Sequence, residues 1–388
     1  MTDLEAWQSL LTTQSQHLLD QCQALDLTAP SSVQRLRRDN PPEVVVAAIE
    51  LTLARKAAKP KFGAQANTLL ADRQGVQMAS TPEAAAHKAA RFAKLASNHT
   101  VLDLCSGIGA DAMALGHASI PVTACDLDPV RAWMTTQNAG CPSIAADVTQ
   151  TDLPPGLIHI DPQRRQSTER RIPRLEDLEP SFDWIQQLIE TRDGTCLKLF
   201  PGVPFDALPP GEIEILSQRG RLSQALLWTG ILARHERSAT SLSTGETIVG
   251  PPAPAPFGPI AEFIHTIDPA VERAGLIGPL ADRFSLSAPH PAAGLLTGNR
   301  PVQSGLLTPF QLITDLPWAP KKVRRALRDL DAGIVEVKTR GRIIDPDQIQ
   351  REMRGSGTTP LTLFVLRLGD HIRALISRRI DRTTLTLP

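Results

Sequence analysis

The chain contains no tyrosine, and only five tryptophans and ten phenylalanines stand among its 388 residues. Readout of nucleic-acid bases by stacked aromatic rings is therefore poorly provided for. Cysteine is scarce as well. Cys22, Cys105, Cys125, Cys141 and Cys196 are odd in number and include no CxxC pair, so they read as buried reduced thiols and not as a disulfide scaffold or a metal cluster. No apolar run approaches the roughly 20 residues that cross a bilayer, and no secretory signal pattern is present. Net charge is absent too, because 41 basic residues balance 41 acidic ones. A uniformly basic surface is excluded. These absences together predict a cytoplasmic protein with no metal and no membrane partner.

What is present is a chain with 41% hydrophobic residues, enough for two or three domains with their own cores. Its most informative stretch is VLDLCSGIGAD, from Val101 to Asp111. Val101 to Cys105 reads as a short buried strand. Gly107 and Gly109 permit a tight turn with close backbone approach, and a helix opens near Ala110. Gly107-x-Gly109-x-x-Ala112 also fits the dinucleotide fingerprint loosely, with Asp126 about 20 residues on. Charge separates the two readings. A pyrophosphate on this turn would meet Asp103 and Asp111 as like-charged neighbours. S-adenosylmethionine carries an ammonium and a sulfonium instead, so the same acids attract it. Asp103, Cys105, Gly107, Gly109 and Asp111 are accordingly the expected cofactor cradle.

Further strands follow in the order of a doubly wound sheet. Pro121 to Asp126 ends in an acid placed to accept hydrogen bonds from both ribose hydroxyls. Ser143 to Val148 carries Asp147, placed for the adenine amino group. Leu157 to Pro162 ends in Asp161-Pro162 at the carboxyl edge, where open α/β sheets bind ligands. Thr195 to Phe200 reads as a fifth strand, with Lys198 near its end, and two more are expected near Glu212 to Ser217 and Leu222 to Trp228. His159, inside a strand, reads as a satisfied core histidine, and Trp133 and Trp184 read as packing residues.

These motifs resemble the class I S-adenosylmethionine-dependent methyltransferases, with a Rossmann-like α/β fold. Within them the chain looks like the bacterial family that joins such a domain to a C-terminal THUMP-like domain, distantly similar to trimethylguanosine synthases. The segment Asn67 to Glu83 resembles the stretch that precedes the cofactor turn in that group, and Asp161 to Arg165, Ile267 to Leu276 and Val335 to Gly341 look like its later landmarks, so the resemblance covers most of the chain beyond about residue 65. It implies contact of Thr81 with the methionine end of the cofactor. One departure concerns the fourth strand. Enzymes that methylate exocyclic base amines usually have Asp or Asn, Pro, Pro and an aromatic there. Here the aromatic is missing and Arg164 and Arg165 follow, suited to grip phosphate or carboxylate.

The expected organisation is a helical N-terminal subdomain (1–75), the methyltransferase domain (76–250), a loop-rich bridging segment (251–310) and a small basic α/β domain (311–388). Asn40-Pro41-Pro42-Glu43 opens a helix in the first, and the proline-rich run Gly250 to Pro259 marks the boundary of the third. In the last, Pro320 to Leu330 is a helix, Ile334 to Lys338 a strand and Asp345 to Met353 a helix. Leu361 to Leu368 and His371 to Arg378 form a closing hairpin. From Ala319 onward fifteen basic residues face eight acidic ones, a surplus of seven that the rest of the chain cancels. The reading is a methyltransferase that uses S-adenosylmethionine and acts on RNA, which the basic C-terminal domain holds. Asp161 orients the nucleophile, while Arg164 and Arg165 anchor the substrate. Two alternatives use the same residues: a non-catalytic RNA-binding or assembly protein that kept the fold, and a small-molecule methyltransferase.

Overall fold

A computed structural model describes residues 1–95, 99–164, 174–341 and 343–381. Two compact units emerge, Met1–Gly211 with Leu226–Arg234, and Glu212–Ala225 with His235–Pro388.

Unit 1 begins with α1 (Asp3–Ser9), α2 (Thr13–Ala24), α3 (Pro30–Asp39), α4 (Pro42–Phe62), α5 (Arg73–Met78) and α6 (Pro82–Ala93). The sequence sets several of their starts. Thr2 makes a reciprocal capping box with Glu5, and prolines occupy the first turns of α3, α4 and α6, where a missing N–H costs nothing. These helices are not a separate body. Leu18, Leu51 and Phe62 share one apolar core with Ile108, Ala110 and Met134, which belong to the turn and helices that follow.

Those are part of an alternating run: β1 (Val101–Leu104), α7 (Ala110–His117), β2 (Val122–Asp126), α8 (Pro129–Ala139), β3 (Ser143–Ala145) and β4 (Leu157–Ile160). Two short strands, β5 (Gln163–Arg164) and β6 (Leu178–Glu179), pair antiparallel ahead of α9 (Phe182–Glu190) and β7 (Thr195–Leu199). The main strands lie in the order β3-β2-β1-β4-β7, all parallel. Every residue of β1 and β4 is buried, which is why they read as continuous apolar runs. The order reverses between β1 and β4, so the carboxyl ends of these two strands open onto a crevice.

Unit 2 takes β8 (Glu212–Gln218), the first residues of β9 (Arg221–Trp228), β10 (Arg237–Ser241) and β11 (Glu246–Gly250). It continues with β12 (Phe263–Ile267), α10 (Pro269–Ala274), α11 (Ile277–Phe284), β13 (Leu295–Gly298), β14 (Leu307–Pro317), α12 (Pro320–Asp329), β15 (Ala332–Thr339), α13 (Pro346–Met353), β16 (Thr359–Leu368) and β17 (His371–Arg379). A mixed sheet runs β13-β12-β14-β17-β16-β15. Val323, Leu327, Ile349 and Met353 of α12 and α13 pack on one face, and Phe310 meets Phe364 edge-to-face in the second cluster. The helices, strand and hairpin expected after residue 319 are all present.

Residues 251–310 differ from expectation. Its longest stretch without strand or helix is 251–262, whereas other parts of it supply β12, β13, α10 and α11. Pieces of four to eight residues spaced by proline and glycine carry too little periodicity to announce themselves. Their pairing partners, β14 above all, lie beyond them in the chain.

Candidate cofactor crevice

The turn after β1 has the backbone that its glycines foretold. Gly107 and Gly109 sit at φ +59° and +81°, the left-handed region that glycine enters without strain. A Cβ at Gly109 would come within 3.0 Å of the Thr135 backbone, whereas at Gly107 it would point into open space. Conformation demands the glycine at 107, and a ligand has room to approach there. Cys105 joins them at φ +58°, uncommon for a residue with a side chain and of the kind found at ligand sites.

Two connected hollows follow from this turn. The larger, about 580 Å³, is lined by Cys105, Asp126, Leu127, Asp147 and Gln163 among others. The smaller is bounded by Ser80, Asp103, Gly107, Asp111 and Asp161. The ends of β1, β2, β3 and β4 thus meet at one place, as their order in the chain implied.

At the larger hollow, Asp126 is buried. Its Oδ2 accepts the Gly107 N–H at 2.7 Å and its Oδ1 accepts the Asp128 N–H at 3.0 Å. Burial pushes its pKa up against these two donors. Asp147 is exposed, and its Oδ1 accepts from both the N–H and the hydroxyl of Thr149. Those bonds hold its carboxyl below the ordinary value. Between the two acids stands Leu127, 73% exposed, an apolar face offered to the hollow.

The smaller hollow rests on a buried network. Lys88, 1% exposed, gives its ammonium to Asp111 at 2.7 Å, to the Ser80 hydroxyl at 3.0 Å and to His159 Nε2 at 3.0 Å. Because a lysine ammonium only donates, His159 Nε2 accepts, and the ring proton is assigned to Nδ1, which donates to Asp103 Oδ1 at 2.7 Å. Burial opposes charge on Asp111, but Lys88 outweighs it and holds this carboxyl below the usual range. Asp103 has no such cation. Burial raises its pKa, and its Oδ2 has no hydrogen-bond partner. With His159 neutral, two carboxylates face one ammonium. The network is one positive charge short, and its orphaned oxygen belongs to a side chain lining the hollow.

Asp161 ends β4, and its Oδ2 meets the Lys198 ammonium at 2.5 Å. Its second oxygen has no partner among the described residues. Lys198 also donates to the Met78 carbonyl at 3.3 Å. Lys61 ties the same loop from α4, donating to the carbonyls of Val76, Gln77 and Ala79. Burial and then the Lys198 charge pull its pKa down to about 8.

Thr81 caps α6, its hydroxyl accepting the Ala84 N–H at 3.3 Å, and Ser80 beside it lines the hollow. The backbone of Arg164 lies in β5, and Arg165 is outside the described residues. Sequence reasoning missed Lys88, Ser80 and Leu127. A signal existed for Lys88, since it occupies the same helical stripe as Ala84, Ala85, Ala89 and Phe92, an apolar face where an unpaired lysine would not be tolerated.

An open parallel sheet with a glycine turn and acids at successive strand ends defines a nucleotide-cofactor enzyme of the class I methyltransferase type. The chain is 32% identical over 355 residues to an uncharacterized S-adenosylmethionine-dependent methyltransferase of Mycobacterium tuberculosis strain CDC 1551 / Oshkosh, covering 85% of this chain and 96% of that protein. The counterpart in strain H37Rv matches to the same extent. The chain belongs to this family of S-adenosylmethionine-dependent methyltransferases, and S-adenosylmethionine is its cofactor. Residues 307–379 match the THUMP domain-like family. In fold, a crystal structure of a candidate methyltransferase from Porphyromonas gingivalis W83 aligns at TM-score 0.72 and 16% identity, over 94% of this chain and 98% of that one.

Proposed function

We propose that this methyltransferase acts on RNA, and that the crevice of unit 1 holds the cofactor. Asp126 accepts the ribose hydroxyls through lone pairs that the Gly107 and Asp128 N–H groups leave over. Leu127 covers one face of the adenine, and Asp147 receives its amino group. Asp103 Oδ2 accepts the methionine ammonium, which supplies the missing positive charge. Thr81 acts through α6, holding Ser80 and Lys88 in place. The residues present fit the cofactor, and the observation that carries this is the buried, unpartnered oxygen of Asp103 beside the open side of Gly107.

When bound, S-adenosylmethionine supplies an electrophilic methyl group on a sulfonium. The protein's part is alignment, which can contribute roughly 7–11 kcal/mol of barrier lowering. Lys198 holds Asp161 by one oxygen and leaves the other to accept a hydrogen bond from the nucleophile. Arg164 and Arg165, which follow Asp161 after Pro162 and Gln163 in the sequence, anchor an anionic substrate. The RNA assignment is supported by the THUMP-like match and by the seven-charge surplus of the segment from Ala319 onward. Five cations of α12, Lys321, Lys322, Arg324, Arg325 and Arg328, are exposed while Val323 and Leu327 face the core.

The experiment is methyl transfer from labelled cofactor to RNA pools by the wild type and Asp161→Asn, with cofactor affinity read in parallel by calorimetry. The variant is expected to lose at least about tenfold in turnover and to keep its affinity. Unchanged turnover removes Asp161 from the mechanism, and transfer to small molecules but to no RNA removes the substrate assignment.

A further inference from the structure

Unit 2 contains a cavity of about 780 Å³, larger than the cofactor crevice, that the reaction proposed above does not use. Its walls come from the β8–β9 turn, the β10–β11 turn, the end of β12 leading into α10, the 305–308 segment and the ends of β15 and β17. Arg219, Lys338 and Arg379 point cations at it, and Ser243, Thr244 and Thr308 supply hydroxyls. No aromatic side chain lines it. Pockets for small apolar ligands are mostly hydrophobic with a few polar anchors, and base-reading sites stack on rings. This lining suits neither. Cations with serine and threonine hydroxyls are the set that contacts phosphate and sugar.

Two further observations bear on the cations that line it. Arg340, Arg373, Arg324 and Arg283 of unit 2 each face a carboxylate, those of Glu272, Asp315, Glu352 and Glu246. Arg219 and Arg379 have no such partner among the described residues, and Lys338 has only the exposed Glu336 two residues away. An exposed pair of that kind is worth little and is readily exchanged for phosphate. Arg219 also occupies the first position of a two-residue turn at φ +52°, with Gly220 at φ +72°. Such turns favour Asn, Asp or Gly at that position. An arginine there costs backbone strain that its exposed side chain does not repay within the fold.

The site is also built before any ligand arrives. Ser243 Oγ accepts the Arg219 N–H at 2.8 Å, which ties the two turns together. Glu246 accepts from the Ser304 hydroxyl at 3.0 Å and the Gly305 N–H at 2.5 Å, fixing the opposite wall. Gly305 is required there, since a Cβ would meet the Thr244 hydroxyl. Two acids, Asp268 and Asp381, share the lining, and Asp268 accepts the Ala270 N–H as the cap of α10.

We propose that this cavity is a subsite for the phosphodiester backbone of the RNA substrate, gripped by Arg219, Lys338 and Arg379 without reading its bases. The proposal rests on the RNA reading above and adds a location to it. The test is fluorescence anisotropy of labelled polyuridylate and of bulk tRNA against salt, with the full chain. Wild type is compared with the triple variant Arg219→Asn, Lys338→Gln, Arg379→Gln, and with Arg324→Gln, Arg325→Gln on α12. Asn at 219 suits the left-handed turn, and an unchanged thermal unfolding profile of the full chain reports that each variant is folded. The triple variant is expected to bind at least about tenfold more weakly, with a salt slope flatter by about 2, while the α12 pair is less affected. Wild-type binding that the triple variant retains in full overturns the subsite and leaves the RNA reading standing. Loss confined to the α12 pair does the same. Absence of RNA binding by the wild type at low salt overturns both.

Discussion

Charge is managed in opposite ways in the two units. In unit 1, Lys88, Asp111, Asp103 and His159 are withdrawn from water and locked by bonds of 2.7 to 3.0 Å. In unit 2, Arg219 and Arg379 stand in solvent without a carboxylate partner among the described residues. Burial makes an unpaired charge so costly that the interior arrangement is forced into one geometry and one tautomer. Exposed cations have no such constraint and remain available to a polyanion. The first region suits a small cationic ligand held in one pose. The second suits a flexible anionic chain, whose binding salt weakens.

The largest effect that tests this contrast is Lys88→Met. It strips the bound ammonium from the buried carboxylate of Asp111, and removing one partner of a buried pair costs about 3–5 kcal/mol. Urea unfolding at neutral pH is expected to show that loss, and a loss below 1 kcal/mol would mean that water reaches the network. Next comes Asp103→Asn, expected to weaken cofactor binding by about tenfold to a hundredfold in calorimetry, the range of a charge-assisted hydrogen bond. The same residue predicts pH dependence. Its folded pKa is raised by burial, so as pH falls the carboxylate protonates ahead of ordinary aspartates. Cofactor affinity should decline already above the usual carboxylate range, and the asparagine variant should not show this decline.

A smaller effect concerns Lys61, whose folded pKa of about 8 lies below the ordinary lysine value of 10.5. Between those values the unfolded chain binds more protons, so this group makes stability rise with pH across that window. Lys61→Met should flatten the slope of melting temperature against pH there, and an unchanged slope would place the ammonium in water. Smallest is Arg324→Gln. Its pair with Glu352 spans 3.7 Å with both side chains well exposed, so the change should cost under about 0.5 kcal/mol in the same unfolding measurement. A larger loss would show that exposed cations of unit 2 also carry structural weight, and the contrast would fail.

Much of unit 1 was legible because local chemistry and global fold agree there. The glycine turn, the strand-end acids Asp126, Asp147 and Asp161 and the N-terminal prolines of α6 and α8 each report their own backbone. The network around Asp103 was not, since Lys88 lies fifteen residues before Asp103 and His159 lies 56 after it. Asp111 illustrates the cost. Read from its neighbours it is a free acid facing the ligand, yet in the fold its charge is answered by Lys88.

The linear chain by itself determined the cofactor class, the order of strands and the basic end, because periodicity, turn glycines and charge counts act over a few residues. Tertiary structure alone decided which charges are spent and which are free. That choice depends on burial and on partners distant in sequence, and it left Asp103 one cation short and, among the described residues, Arg219 and Arg379 without a carboxylate partner. Pairing energies depend on distance and local dielectric, neither of which exists until the chain has folded.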